Sequence, residues 1–404
     1  MKLLNTTTLK LEEFWDSNIP KRYAILSHTW EEQEVSFQYI ANLESAAQLA
    51  GFSKIKACCE QAKEDGFGWA WIDTCCIDKS SSAELSESIN SMFRWYEKAT
   101  ICYAYLSDVP SDADLRDPDS SFAKSRWFTR GWTLQELIAP REVEFFSKDW
   151  KALGSRSNLF KEISEITRIS HNVLRESNRK ALRRTSIAQK MSWASRRVTT
   201  RSEDIAYCLL GLFEVNMALL YGEGTNAFIR LQKKILKRSN DQSIFAWTVP
   251  RPHGVLETEV SLAGFLASSP SCFKHSHDFV LRYIPSLMRP YSMTNMGLCI
   301  DVPLFEVPGN KDQFMAVLRC RSASNNENNS YIGLPIYVEN PGLSQSFWFE
   351  SKRDAYQDPT ALIVKSFGFD SSGQYLKIDW DARNRGIRAR VRTLYIPQGS
   401  SINP

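Results

Sequence analysis

Apolar positions in the first third of the chain fall into short blocks separated by amphipathic stretches. Tyr23-Ala-Ile-Leu-Ser27, Trp69-Ala-Trp-Ile-Asp73, Thr100 to Leu106 and Val143-Glu-Phe-Phe146 have the near-continuous apolar character of strands buried on both faces. Between the first two, Ile55, Cys58, Cys59 and Ala62 recur at helical spacing until Gly66 and Gly68 interrupt the pattern. Before the third, Ile89, Met92, Phe93 and Tyr96 mark one face of a helix over Ser86 to Lys98, with Ser86 placed to cap it. Alternating strand and helix predicts a doubly wound parallel sheet, hence an α/β fold class for residues 1–156. Residues 157–240 read as helical, through Ile205 to Phe213 and the amphipathic Ala227 to Leu236. Over 241–404, Pro and Gly become frequent around short alternating stretches at 298–302, 314–320, 331–338 and 388–396, which predicts a β-rich C-terminal domain.

Composition refines this outline without redirecting it. A length of 404 residues exceeds what one hydrophobic core usually holds, in keeping with several domains. The formal net charge of +4 is too small to point to nucleic acid or an anionic membrane as a partner. Basic residues do cluster at Lys180, Arg183, Arg184, Lys190, Arg196, Arg197 and Arg201, a pattern expected of a solvated helix face and its loop. The nine cysteines include the adjacent pairs Cys58-Cys59 and Cys75-Cys76, poor material for a disulfide framework, so reduced thiols and a cytoplasmic protein are expected. The first residues lack a signal-peptide core, and no run approaches the roughly 20 apolar residues of a membrane span.

Candidate chemistry follows from the parallel sheet, because ligands bind beyond the carboxyl ends of its strands. Those ends carry Ser27-His28-Thr29-Trp30, Asp73 to Asp78, and Ser107-Asp108. The segment Ser125-Arg-Trp-Phe-Thr-Arg-Gly-Trp-Thr-Leu-Gln-Glu-Leu137 starts from the same edge and carries Glu136 on a helix. Glu136 is therefore the candidate catalytic carboxylate, with Ser27, His28, Trp30, Asp73, Arg130 and Trp132 as candidate substrate-binding residues. His28 is either a general base or a hydrogen-bonded loop histidine. Arg130, flanked by Trp127 and Trp132, either grips phosphate beside a stacked ring or forms a structural ion pair with Glu136 or Asp73. Asp73 and Asp78 lack histidine or cysteine at metal-ligand spacing, so no metal is expected. Cys75 or Cys76 with His28 would make a nucleophilic pair, against the plainer role of buried thiols. Absence of a GxGxxG turn and of a Walker sequence argues against a dinucleotide oxidoreductase and a P-loop nucleotidase.

Four of these stretches, in order, resemble the motifs of the fungal heterokaryon incompatibility (HET) domain. They are Tyr23-Ala-Ile-Leu-Ser-His-Thr-Trp30, Trp71-Ile-Asp-Thr-Cys-Cys-Ile-Asp78, Ser88 to Tyr96, and Arg130-Gly-Trp-Thr-Leu-Gln-Glu-Leu137, within roughly Tyr23 to Trp150. Arg201 to Phe213 and Tyr221 to Gln232 are similar to the helical extension often found behind that domain. The resemblance implies allorecognition and regulated cell death when genetically different hyphae fuse, with self-association or protein partners in incompatibility signalling. HET domains also look distantly like TIR domains, which implies a flavodoxin-like parallel sheet. In many enzymatic TIR domains a glutamate on a Trp-Cys-x-x-Glu-Leu helix supports cleavage of the nicotinamide glycosidic bond of NAD. Trp132-Thr-Leu-Gln-Glu-Leu137 keeps the spacing from Trp to Glu, with Thr133 in place of the cysteine. NAD is then implied as a substrate, with no bound cofactor. A non-catalytic self-association module is the other reading of the same resemblance.

Overall fold

The computed structural model describes residues 1–15, 18–176, 179–248, 265–282, 290–294, 297–307, 310–323, 330–338, 349–350, 362–367, 376–379 and 390–396. They divide into two compact units, 1–184 with 197–227, and 185–196 with 228–404.

The first unit is built on a seven-stranded sheet. Its strands are β1 (Lys2–Asn5), β2 (Leu11–Glu13), β3 (Ala24–His28), β4 (Trp69–Trp71), β5 (Ile101–Tyr105), β6 (Val143–Phe146) and β7 (Ala152–Ser155), in the order β2-β1-β4-β3-β5-β6-β7. The four central strands are parallel, as the apolar runs predict, with Ala24 opposite both Ala70 and Ile101, and Cys102 opposite Val143. Every residue of β3 is buried, as its position between two parallel neighbours favours. The edges differ from the expectation: β1, β2 and β7 pair antiparallel. These strands are three or four residues long, and β2 and β7 are mostly half-exposed or exposed, so no apolar run announces them.

Connections run through two short helices, α1 (Phe37–Ile40) and α2 (Leu43–Ala46), then α3 (Gly51–Glu64) before β4 and α4 (Ser82–Lys98) before β5. Helix α3 buries Ile55, Cys58, Cys59 and Ala62. Helix α4 begins earlier than the sequence pattern predicts: Ser81, not Ser86, is the cap, its side chain accepting from the Glu84 backbone N–H at 3.3 Å. Acidic Glu84 in the first turn favours that start, since a negative side chain suits the positive end of the helix. Tyr96 and Trp95 of α4 pack edge-on against Trp71 of β4 at 5.8 and 5.5 Å. Between β5 and β6 lies α5 (Thr133–Ile138), only six residues long and buried throughout. Its far end is tied down by Arg156, whose guanidinium donates to the carbonyls of Leu137, Pro140 and Arg141 at 2.5, 2.9 and 2.5 Å. A cation there complements the negative end of the helix dipole.

Helices follow the sheet: α6 (Phe160–Thr167), α7 (His171–Glu176), α8 (Arg179–Arg184), α9 (Ile187–Ala194), α10 (Asp204–Tyr207) and α11 (Asn226–Leu236). Of the predicted basic face, Arg183 pairs with Glu214 at 3.3 Å on the surface, but Arg197 is buried. No helix of the described residues is long and apolar enough to cross a membrane.

In the second unit, α9 carries a capping box formed by Ser186 and Gln189. Buried Asp241 accepts from the backbone N–H of Ile187 and Ser243 at 2.7 and 2.8 Å. Eight strands between Ser292 and Ile396 form one mostly antiparallel sheet, in which Gly297–Val307 pairs with both Asn310–Val317 and Arg390–Ile396.

Candidate active site

Numbered along the chain, the four parallel strands lie in the order 2-1-3-4, so the winding reverses between β3 and β5. A crevice opens beyond the carboxyl ends at such a reversal. Ser27 and His28 are the last residues of β3, and Asp73 follows β4 by two positions. Helix α5 then delivers Glu136 to the same place.

The Ser27 hydroxyl donates to Glu136 Oε2 at 2.5 Å and accepts from the indole N–H of buried Trp127 at 2.8 Å. Tyr96, whose hydroxyl donates to the Leu26 carbonyl at 2.9 Å, also stands beside the Glu136 carboxyl. Only 4% of Glu136 is exposed, and that burial, reinforced by the negative charge of Asp73, pushes its carboxyl up to about 8. The hydrogen bond from Ser27, the charge of Arg130 and the neighbouring Tyr96 hydroxyl pull the other way without prevailing. At neutral pH the side chain therefore keeps its proton.

Asp73 organises the neighbouring wall. Its Oδ2 accepts from the Trp30 indole N–H at 2.9 Å, and its Oδ1 lies 3.2 Å from His28 Nε2, without the alignment of a full hydrogen bond. Burial pushes Asp73 up, but His28, Lys79 and the Trp30 N–H outweigh it and hold the carboxylate well below its usual range. Burial, then the charge of Lys54, lowers His28, which remains neutral despite Asp73 and Glu34. Trp30 is 39% exposed, an unusual state for so large an aromatic side chain. Lys79 Nζ sits 3.6 Å from its ring centroid and the Arg130 guanidinium carbon 5.6 Å. Arg130 thus rests on an indole instead of forming the structural ion pair that was one of its two sequence readings. Among the described residues no carboxylate lies within ion-pair distance of it. Trp127, expected to flank Arg130, belongs to the core, and Trp30 takes that place.

The opposite wall comes from residues 197–227. Strand-like pairing joins Arg130 to Val198, with the Gly131 N–H donating to the Val198 carbonyl and the Val198 N–H to the Thr129 carbonyl, both at 2.8 Å. Gly131 permits this approach, since a Cβ there would lie 2.5 Å from Thr199 Cγ2. Arg197 locks the junction by donating to the Arg130 carbonyl at 2.8 Å and to the Thr133 hydroxyl at 2.9 Å. Thr199, Thr200 and Arg201 are thereby brought to the cleft. Beyond them the Trp132 indole N–H donates to Asp204 Oδ2 at 3.2 Å, and the Tyr221 hydroxyl to Asp204 Oδ1 at 3.0 Å.

The resulting cleft has a volume of about 290 Å³. Six of the seven residues singled out from sequence line it: His28, Trp30, Asp73, Arg130, Trp132 and Glu136. Ser27 lies behind Glu136, where it holds the carboxyl. Cys75 and Cys76 are buried, and Cys75, raised by its contact with Cys76 and by burial, is a poor nucleophile. Lys79, Arg201, Asp204 and Tyr221 also line the cleft and were not foreseen. Arg201, Asp204 and Tyr221 fall in the two stretches similar to the helical extension, whereas no sequence signal marked Lys79.

Comparison with known proteins agrees with the motif resemblance. Residues 23–121 match the family described as heterokaryon incompatibility protein (HET), and residues 226–308 match a domain of unknown function, DUF8212. The chain is 46% identical over 254 residues to the vegetative incompatibility protein HET-E-1 of Podospora anserina, covering 61% of this chain and 18% of that protein. It thus spans less than a fifth of that relative's length. No solved structure matches it. The two HET matches support the heterokaryon incompatibility family. Arg130, Trp132 and Glu136 lie beyond the segment matched by the family, so their convergence with His28 and Asp73 is a result of the fold.

Proposed function

We propose that this chain acts in heterokaryon incompatibility, as an effector of the regulated cell death that follows hyphal fusion, and that it works by hydrolysing the nicotinamide glycosidic bond of NAD. The family matches support the biological role. One observation carries the chemistry: a buried carboxyl, Glu136, faces a cleft whose rim offers an exposed indole and three cations. The 2-1-3-4 order of the parallel strands agrees with four of the five strands of a flavodoxin-like sheet, which supports a TIR-like reading.

Nicotinamide in NAD is a pyridinium cation. When the bond from its nitrogen to ribose C1′ breaks, both electrons stay on nitrogen and neutral nicotinamide leaves. The ribose acquires oxocarbenium character, which a nearby carboxylate stabilises. Burial favours the protonated form of Glu136, but a pyridinium bound beside it favours the carboxylate, because an opposite charge lowers an acid's pKa. Water adds to C1′ and gives up its proton, leaving ADP-ribose. Trp30 offers a stacking face, Arg130 pairs with phosphate, and Trp132, fixed by Asp204, forms the far wall.

The test is nicotinamide release from NAD by concentrated protein, followed by chromatography, for wild type and Glu136→Ala. Release by the wild type alone supports the reading, and no release by concentrated wild type removes the enzymatic part. The burial of Glu136 and its bond to Ser27 favour a second reading, a non-catalytic module that signals through self-association or protein partners. In that case Glu136→Gln loses thermal stability together with toxicity. The hydrolase reading expects a folded but inert protein.

A further inference from the structure

Three cations from separate segments face the cleft: Lys79 after β4, Arg130 before α5, and Arg201 before α10. Each rests on an aromatic ring or near one. Lys79 and Arg130 share the Trp30 indole, and Arg201 Cζ lies 4.4 Å from the Tyr221 centroid. The carboxylates of the cleft are otherwise engaged. Asp73 holds Trp30, Asp204 holds Trp132 and Tyr221, and Glu136 accepts from Ser27. None of the three cations has a carboxylate of the described residues within ion-pair distance. Asp73 and Asp204 offset part of the positive charge on this rim, and an anion bound among the three cations balances the rest. A cation on a ring face retains N–H donors that the ring does not use, available to an anion.

We propose that Lys79, Arg130 and Arg201 form a clamp for a diphosphate, so that the cleft takes pyridinium dinucleotides in preference to nucleosides. Arg130 holds one phosphate beside the reaction zone, while Lys79 and Arg201 close on the diphosphate from opposite walls. Assigning the anion to NAD rests on the hydrolase reading, whereas the anion site itself is tested without turnover. Lys79 and Arg201 act by binding and take no part in bond cleavage. Because Arg201 arrives through the Arg130–Val198 pairing, the helical segment selects the substrate that the sheet unit cleaves.

The probe is inorganic pyrophosphate, titrated calorimetrically into the full chain and into Lys79→Gln and Arg201→Gln, each first checked for an unchanged melting temperature. Each substitution is expected to weaken pyrophosphate about tenfold, the loss of roughly one charge-assisted hydrogen bond. Raising salt weakens wild-type binding as well. In turnover, the ratio of kcat/KM for NAD to that for nicotinamide riboside, which lacks the diphosphate, falls in both variants. Failure of wild type to bind pyrophosphate, or equal binding by all three proteins, overturns the clamp. If pyrophosphate binding follows the clamp but NAD is not hydrolysed, the clamp stands and the hydrolase reading falls. If NAD is hydrolysed with the same NAD preference in all three proteins, the clamp falls and the hydrolase reading stands.

Discussion

Ser27 and Glu136, 109 positions apart in the chain, are joined by a 2.5 Å hydrogen bond in which the serine hydroxyl donates to the carboxyl. The same hydroxyl receives the Trp127 indole N–H, so one small side chain satisfies two buried groups. Replacing it acts on both.

Ser27→Ala leaves the Trp127 N–H without its acceptor and Glu136 without its donor. Stability should fall by about 1–3 kcal/mol, the usual cost of an orphaned buried polar group. Because the Ser27 bond pulls the Glu136 pKa down, its loss should move that pKa further up. Denaturant unfolding measures the first effect, and carboxyl titration by NMR the second.

Glu136 also sets a pH dependence. Its folded pKa of about 8 stands above the unfolded 4.5, so between these values the folded chain binds the extra proton. Stability therefore falls as pH rises from about 4.5 to about 8. Glu136→Gln cannot titrate and should flatten this part of the profile. Melting temperatures of the two proteins across that range check the prediction, and parallel curves refute it.

Glu203 works in the opposite sense. Its Oε1 accepts from the Gly222 and Gly224 N–H groups at 2.7 and 3.1 Å, fastening the loop that carries Tyr221. Its own backbone N–H, then Gly222 and Gly224, hold its pKa down to about 2. The stability this contributes is present above pH 4.5 and is lost as pH falls toward 2. Glu203→Gln should lower the melting temperature at neutral pH and remove this part of the acid transition. Because Tyr221 and Trp132 share Asp204, tryptophan fluorescence against pH should report the loosening.

Gly131→Ala tests the join between the cleft walls. The added methyl would lie 2.5 Å from Thr199 Cγ2 and 3.3 Å from Cys208 Sγ, against atoms with little room to move. Overpacking of this kind typically costs about 1–3 kcal/mol. The paired segment at Val198 should be displaced, carrying Arg201 away from the rim. Thermal melts give the cost, and pyrophosphate titration should show weakened binding in protein that is still folded.

Some of this was written in local patterns. Strands β3, β4, β5 and β6 are covered on both faces, so each had to be a run of apolar residues, and parallel pairing sent their carboxyl ends to one edge. That geometry alone predicted the meeting of His28, Trp30 and Asp73 with a carboxylate from the Ser125 to Leu137 segment. The antiparallel strands β1, β2 and β7 left no such trace, because short, partly exposed strands need no apolar run.

Sequence by itself determined the parallel core, the residues at its strand ends and the resemblance that names a family. Tertiary structure decided which aromatic ring meets Arg130, whether Glu136 carries a proton, and what closes the cleft. Periodicity records how each segment meets the core, whereas these outcomes depend on groups far apart in the chain. Burial, reinforced by the charge of Asp73 from a different strand end, raises Glu136, and the missing side chain at Gly131 admits Thr199 and Arg201 to the site.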